Sequence, residues 1–98
     1  MIQTSSSVEW VQEEAPIKDP LGLHARPAVK LTKLANKYES SIELSLADEE
    51  IWINAKSTNS VMKMKAGNGQ NIKIRAKGED ADQALNALVT LIRSNFDS

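Results

Sequence analysis

Six consecutive residues, Ile72-Lys73-Ile74-Arg75-Ala76-Lys77, alternate strictly between apolar and basic side chains. This period of two is typical of a β-strand that buries one face and leaves the other in water. The segment from Ser41 to Leu46 repeats the pattern, and we expect Ile51 to Asn54 to return beside it as a hairpin. Another strand is expected between Trp10 and Lys18. Pro16 has no N–H to donate, which favours the edge of the sheet for this strand.

Helical segments alternate with these strands. Asp19-Pro20-Leu21-Gly22 predicts a turn. The first helix follows from Ala25 and carries a stripe of apolar residues at helical spacing, made of Leu31, Leu34, Ala35 and Tyr38. A second, short helix is expected from Ser57 to about Lys65, and a third from about Asp80 to Ser94. Ser57 and Asp80 are both suited to cap a helix N-terminus.

The predicted fold follows from the strands having one apolar face each. A single layer of helices over one antiparallel sheet buries all of those faces. We therefore predict an α+β two-layer open-faced sandwich, in which three helices cover one face of a four-stranded antiparallel sheet in the order β-α-β-β-α-β-α. The domain is expected over residues 10–98, after a flexible, serine-rich extension over residues 1–9.

The composition argues against several classes of protein. The chain has 98 residues, no cysteine, one histidine and a formal net charge of -1. Disulfides and thiolate metal sites are excluded, and neither a metal nor another cofactor is expected. The charge balance gives no reason to bind nucleic acid, and the four aromatic residues form no RNA-binding strand motif. With no membrane-spanning apolar run and no signal-like start, we expect a cytoplasmic monomer without membrane insertion.

One segment points to chemistry, namely Gly22-Leu23-His24-Ala25-Arg26-Pro27-Ala28. Pro27 is suited to the first turn of a helix, so His24 is expected at the tip of that helix. Backbone N–H groups and the positive end of the helix dipole favour an anion there. Arg26 adds a planar cation suited to phosphate oxygens. From the residues alone, His24 is either a nucleophile for phosphate or an ordinary surface residue that begins a helix.

This segment resembles the active-site signature of the HPr family, the histidine-containing phosphocarriers of the bacterial phosphotransferase system. Lys56-Ser57, at the start of the short helix, resembles the second landmark of that family. The segment from Glu79 to Leu88 is also similar, and the resemblance extends over about residues 10 to 97. The ending from Arg93 to Ser98 is similar to the nitrogen-related branch of the family.

The resemblance implies a role for each matching residue. His24 would accept a phosphoryl group on Nδ1 from enzyme I charged by phosphoenolpyruvate, and would pass it to an acceptor protein. Arg26 would steady that group during transfer. Ser57 would match a serine that a dedicated kinase phosphorylates in some bacteria, although simple capping of the short helix is the favoured explanation of this serine. The protein would be a carrier and not an enzyme, serving sugar uptake or a regulatory branch.

The site also needs a surface on which partner proteins dock. The resemblance and the charge pattern suggest docking by Lys30, Lys33, Thr58, Val61 and Met62. Arg26, Lys30, Lys33 and Lys37 recur at helical spacing as a basic stripe that either steers an acidic partner or is simply a solvated face. Of Met62 and Met64, we expect at least one in the core. The sequence also departs from the family, with Thr58 and Asn59 where large apolar residues are common and Lys65 near a common glycine.

One further alternative keeps the fold and removes the relay. The chain would then be a regulatory binding module whose phosphorylation state signals to partner proteins. The sequence does not separate this alternative from the carrier.

Overall fold

The computed structural model describes residues 9–97, and the order of elements predicted from the sequence is confirmed. In chain order the elements are β1 (Val11–Pro16), α1 (Ala25–Ala35), β2 (Ser41–Leu46), β3 (Ile53–Asn54), α2 (Thr58–Lys63), β4 (Asn71–Lys77) and α3 (Ala81–Arg93). The extension predicted for residues 1–9 lies outside the described residues except for Glu9, so its flexibility and its boundary stay predictions.

The four strands form one antiparallel sheet in the order β1-β4-β2-β3. Within residues 9–97, strand β1 pairs only with β4, with Val11 opposite Ala76 and Pro16 opposite Asn71. The edge position predicted from Pro16 is therefore confirmed. Proline is tolerated on this edge strand because no neighbouring strand on the outer side needs a hydrogen bond from the N–H that proline lacks.

The core lies between one face of the sheet and the three helices. Alternate residues of β2 and β4 point into it and are at most 1% exposed: Ile42, Leu44, Ile72, Ile74 and Ala76. The helices contribute Leu31, Leu88 and Ile92, each without solvent exposure. This arrangement confirms the predicted open-faced sandwich, because the helices cover the sheet face that carries these apolar side chains. Across residues 9–97, every helix falls short of the length and apolarity that crossing a bilayer requires.

The uncovered face of the sheet carries a stack of cations and indole rings. The guanidinium of Arg75 lies 4.2 Å from the ring centre of Trp10 and 4.0 Å from that of Trp52. It also donates to the carboxylate of Glu43 at 2.6 Å. These contacts shield two large rings on a face that no helix covers, which suits their half-buried state.

Strand β3 is shorter than predicted. The expectation that it begins at Ile51 is wrong, since only Ile53 and Asn54 pair with β2, and Ile51 is 68% exposed. Side chains form hydrogen bonds with the backbone of the segment that precedes β3. The carbonyl oxygen of Glu49 accepts from Lys73 Nζ at 2.6 Å and from Ser45 Oγ at 3.1 Å. Those bonds hold the connection between β2 and β3, while Ile51 and Trp52 stay outside the strand pairing.

Asp80 occupies the N-cap position of α3 but its side chain makes no capping hydrogen bond, so its predicted role is wrong. Its carboxylate instead accepts from the hydroxyl of Ser40 and from the backbone N–H groups of Glu39 and Ser40, the latter two at 2.9 Å. These donors, led by the Ser40 hydroxyl, lower the pKa of Asp80. The carboxylate thus fastens the loop between α1 and β2 to the start of α3.

Candidate functional site

His24 lies at the N-cap position of α1 with an extended backbone, and its carbonyl accepts the first helical bond from Ala28 N at 3.0 Å. Its side chain makes no capping bond. Within residues 9–97, the N–H groups of Ala25 and Arg26 have no acceptor either, and Pro27 has no N–H. The first turn also lacks an acidic residue. Two free donors and the positive end of the dipole therefore stand beside the imidazole.

The backbone before His24 is held against the loop that follows α2. Leu23 N donates to the carbonyl oxygen of Ala66 at 2.8 Å. Gly22 has a φ of +74°, and a Cβ there would lie 2.4 Å from the same oxygen. Only glycine fits this close approach with this backbone conformation. The motif glycine thus fixes where the tip of α1 meets the α2–β4 loop.

The imidazole of His24, 36% exposed, borders a shallow depression of about 280 Å³. Its lining comes from both sides of the contact just described: Leu21, Leu23, Ala25, Met62, Lys65, Ala66 and Gly67. Leu21 is 78% exposed and Met62 is 39% exposed, so two apolar side chains stand open beside the ring. The site offers a flat, accessible surface for another protein, not an enclosed pocket for a small molecule.

Two residues near His24 were not assigned to the site from the sequence. Lys65 lines the depression and has a φ of +54°, the left-handed conformation that a glycine would take more easily. Its place near a common family glycine was the only sequence signal. Asp19 was predicted only as a turn residue, yet its Oδ1 lies 3.4 Å from His24 Nε2.

Arg26 is exposed, and its side chain makes no hydrogen bond or ion pair within the described part of the chain. Its guanidinium is therefore not committed to the scaffold. An uncommitted cation in the first turn of α1 can reach for an anion without breaking an existing contact.

Ser57 is the N-cap of α2, and its Oγ accepts from Ser60 N at 3.2 Å, which confirms the predicted cap. The hydroxyls of Thr58 and Thr32 form a hydrogen bond with 2.9 Å between their oxygens, at the contact between α1 and α2. The docking role predicted for Val61 is wrong, because its side chain has no exposure and belongs to the core. A six-residue helix turns Val61 inward and Met62 outward.

Of the predicted basic stripe, Arg26, Lys30 and Lys33 lie on the exposed side of α1, and Lys37 follows the end of the helix. Lys30, Lys33 and Lys37 border a groove between α1 and α3, together with Leu34, Leu91 and Asp97. Lys30 is partly committed, since its Nζ donates to the carbonyl of Phe96 at 2.9 Å. Met62 remains exposed while Met64 packs against the core, which confirms the expectation that at least one of the two methionines packs there.

The site matches a family of known proteins. A family model described as "PTS HPr component phosphorylation site" matches residues 11–94. The chain belongs to the HPr family. It is 40% identical to the phosphocarrier protein HPr of Pseudomonas aeruginosa, an alignment that covers 86% of this chain and 92% of that protein. It is also 34% identical to the phosphocarrier protein NPr of Shewanella violacea, with 89% and 93% covered.

A solved HPr structure shows the same architecture. The crystal structure of HPr-C-His from Thermoanaerobacter tengcongensis superposes with a TM-score of 0.82 at 35% identity, covering 90% of this chain and 97% of that one. As an HPr family member, the chain is a phosphocarrier of the phosphotransferase system. It is a substrate and donor for phosphotransferases, not an enzyme itself, and its partners are enzyme I and acceptor proteins. The binding-module alternative is not favoured.

Proposed function

We propose that His24 is the residue that carries the phosphoryl group, on Nδ1, and that Arg26 steadies the group during transfer. Enzyme I charged by phosphoenolpyruvate is the donor, and an acceptor protein of the phosphotransferase system receives the group in sugar uptake or in the regulatory branch. The chain has a single histidine, so no other imidazole competes for this role.

The uncapped N-terminus of α1 carries this proposal. The N–H groups of Ala25 and Arg26 have no acceptor within residues 9–97, and they stand next to a nucleophile that is 36% exposed. A phosphoryl group on His24 brings oxygens that accept from these donors, and its charge is stabilised by the helix dipole. The free guanidinium of Arg26 adds a charge-assisted donor.

Docking is proposed on the surface around the imidazole. Met62 and Leu21 supply exposed apolar area next to His24, while Lys33 and the exposed part of Lys30 supply positive charge along α1. Thr58 stays a docking prediction for its partly exposed atoms only, because its hydroxyl is bonded to Thr32. Apolar contact beside the reacting group and charge farther away suit a short-lived complex with an acidic partner.

The decisive experiment is phosphorylation by enzyme I and phosphoenolpyruvate. We expect an acid-labile mass increase of one phosphate, mapped to His24 by tandem mass spectrometry, and no increase in His24→Ala. A second protein, an acceptor of the phosphotransferase system, should then remove the phosphate. Labelling that persists in His24→Ala would contradict the assignment of His24 as the phosphorylated residue. Labelling that no acceptor removes would support the binding-module alternative.

Four finer points complete the proposal. A serine kinase modifies Ser57, where an added phosphate opposes the docking of an acidic partner.

The protein works as a monomer, since few large apolar residues in the described part of the chain are exposed, namely Leu21, Val29, Ile51 and Met62. It works in the cytoplasm, where phosphoenolpyruvate is made. Residues 10–98 form the carrier domain and residues 1–9 are an extension to it.

A further inference from the structure

The turn that leads into the motif brings a carboxylate to the back of the imidazole. Asp19 Oδ1 accepts from Leu21 N at 2.8 Å, and the carbonyl of Asp19 accepts from Gly22 N at 2.8 Å. The same Oδ1 lies 3.4 Å from His24 Nε2. The side chain of Asp19 is 21% exposed, less than the imidazole itself. One oxygen thus serves both the turn and the ring.

The position of this carboxylate is fixed from two directions. Its own turn holds it through the bond from Leu21 N, and Pro20 restricts the backbone between them. The segment is then tied to the α2–β4 loop by the bond from Leu23 N to the carbonyl of Ala66. Asp19 and His24 are therefore placed by backbone contacts, and a contact of this length in the free protein can tighten to a hydrogen bond when the partner binds.

A carboxylate can only accept, so an imidazole that turns Nε2 toward it must carry its proton on Nε2. In the neutral ring this leaves the lone pair on Nδ1. That is the nitrogen on which the proposed function places the phosphoryl group. A second-layer acceptor that selects the tautomer of a reactive imidazole is a common way to orient that ring.

We propose that Asp19 is a positioning residue for phosphoryl transfer, holding the proton on Nε2 and presenting Nδ1 to the donor. The inference rests on the proposed role of His24. In the step, the Nδ1 lone pair forms the N–P bond, and the bond from phosphorus to the donor breaks with its electron pair returning to the donor. The proton stays on Nε2, so the ring becomes cationic beside the Asp19 carboxylate. Onward transfer reverses each of these changes.

Other charges near the ring do not replace this one. Lys65 lines the depression and Arg26 lies in the first turn of α1, and both are positive. Neither can accept a hydrogen bond from Nε2–H or offset the positive charge of a phosphorylated ring. Among the charged residues that contact or border the imidazole, Asp19 is the one that can do both.

The test compares wild type with Asp19→Asn. The amide can still accept from Leu21 N and so keeps the turn, but it lacks the charge. We expect an unchanged melting temperature and slower transfer from enzyme I, by roughly tenfold to a hundredfold. In ¹⁵N spectra of the unphosphorylated, neutral ring, wild type should show the Nε2–H tautomer alone. Asp19→Asn should show a mixture, because a neutral amide accepts from Nε2–H more weakly than a carboxylate does and can also turn its NH2 group toward the ring. Asp19→Ser, whose hydroxyl also accepts from the turn, is the substitute should the amide variant unfold.

The readouts separate failure of this inference from failure of the proposed function. If the variant keeps the wild-type tautomer or the wild-type transfer rate, Asp19 is only a turn residue and the inference is overturned. If wild type itself is never phosphorylated on His24, the proposed function fails. The tautomer comparison needs no phosphate, so a mixture in Asp19→Asn alone would then show that the contact orients the ring without serving transfer, which also overturns the inference.

Discussion

Helices α1 and α2 begin in opposite ways, although their N-cap residues share an extended backbone. Ser57 caps α2 by accepting from Ser60 N at 3.2 Å. His24 stands in the same position on α1, and its side chain makes no such bond. A side-chain cap contributes about 1 kcal/mol to stability, so α1 forgoes a stabilisation that α2 has. The difference leaves the donors of α1 available to an incoming anion.

The largest effect is expected from giving α1 the cap that α2 has. His24→Ser should lose all phosphoryl transfer and raise the free energy of unfolding by about 1 kcal/mol, since the new hydroxyl can accept from the first turn. For a chain of this size that is roughly 4–8 °C in melting temperature. The measurements are labelling by enzyme I and thermal melts.

His24→Ala is the matched control for this exchange. It should lose transfer equally but melt like wild type, because alanine replaces one non-capping side chain with another. A His24→Ser variant no more stable than His24→Ala would show that α1 cannot be capped and that its open end is a matter of geometry alone.

Arg26→Ala should slow transfer on the order of tenfold and leave the melting temperature unchanged. The side chain makes no bond within residues 9–97, so the folded state loses little. A charge-assisted hydrogen bond is worth roughly 1.5–3 kcal/mol, and about 1.4 kcal/mol corresponds to a tenfold rate. Arg26→Lys should recover part of the rate, since it keeps the charge without the planar fork. Stopped-flow transfer kinetics that match wild type would assign Arg26 to the scaffold.

At the capped N-terminus of α2, we expect removal of the cap to change stability and to leave phosphoryl transfer unaffected. Ser57→Ala should lower the free energy of unfolding by about 1 kcal/mol through loss of the cap, and transfer should be unchanged. Ser57→Asp keeps a capping oxygen and should melt like wild type, while weakening the productive encounter with enzyme I. A sharp fall in melting temperature with unmoved kinetic constants in Ser57→Asp would make Ser57 a structural cap only.

The start of α3 supplies a third case, in which the N-cap carboxylate of Asp80 serves a neighbouring loop. Its pKa is lowered below 3.8 in the folded state, first by the Ser40 hydroxyl. Its contribution to stability should therefore be complete above that pH and disappear as the pH falls through the lowered value. Urea unfolding of wild type and Asp80→Asn across this range tests it. The two stabilities should converge in acid, and curves that stay parallel would contradict the assignment.

Local patterns were enough to predict β2 with its observed bounds, the cap at Ser57 and the motif around His24. The predictions failed where contacts between residues distant in sequence determine the local structure. The carboxylate of Asp80 bonds to a loop that precedes β2, and Lys73 binds the carbonyl of Glu49 in the connection before β3. Val61 was misplaced because six helical residues are too few to show which side faces the core. The contact of Asp19 with His24 depends on how a turn closes.

The position of β4 between β1 and β2 bears on how the chain is synthesised. Val11 is synthesised early, but its partner across the sheet, Ala76, is synthesised only after α1 and α2. Until β4 emerges, β1 has no neighbour, and β2 and β3 form at most a short hairpin that is marginal by itself. A nascent chain that stops before Asn71 therefore lacks the strand that joins the two halves of the sheet. The sheet therefore cannot be completed until β4 has been synthesised.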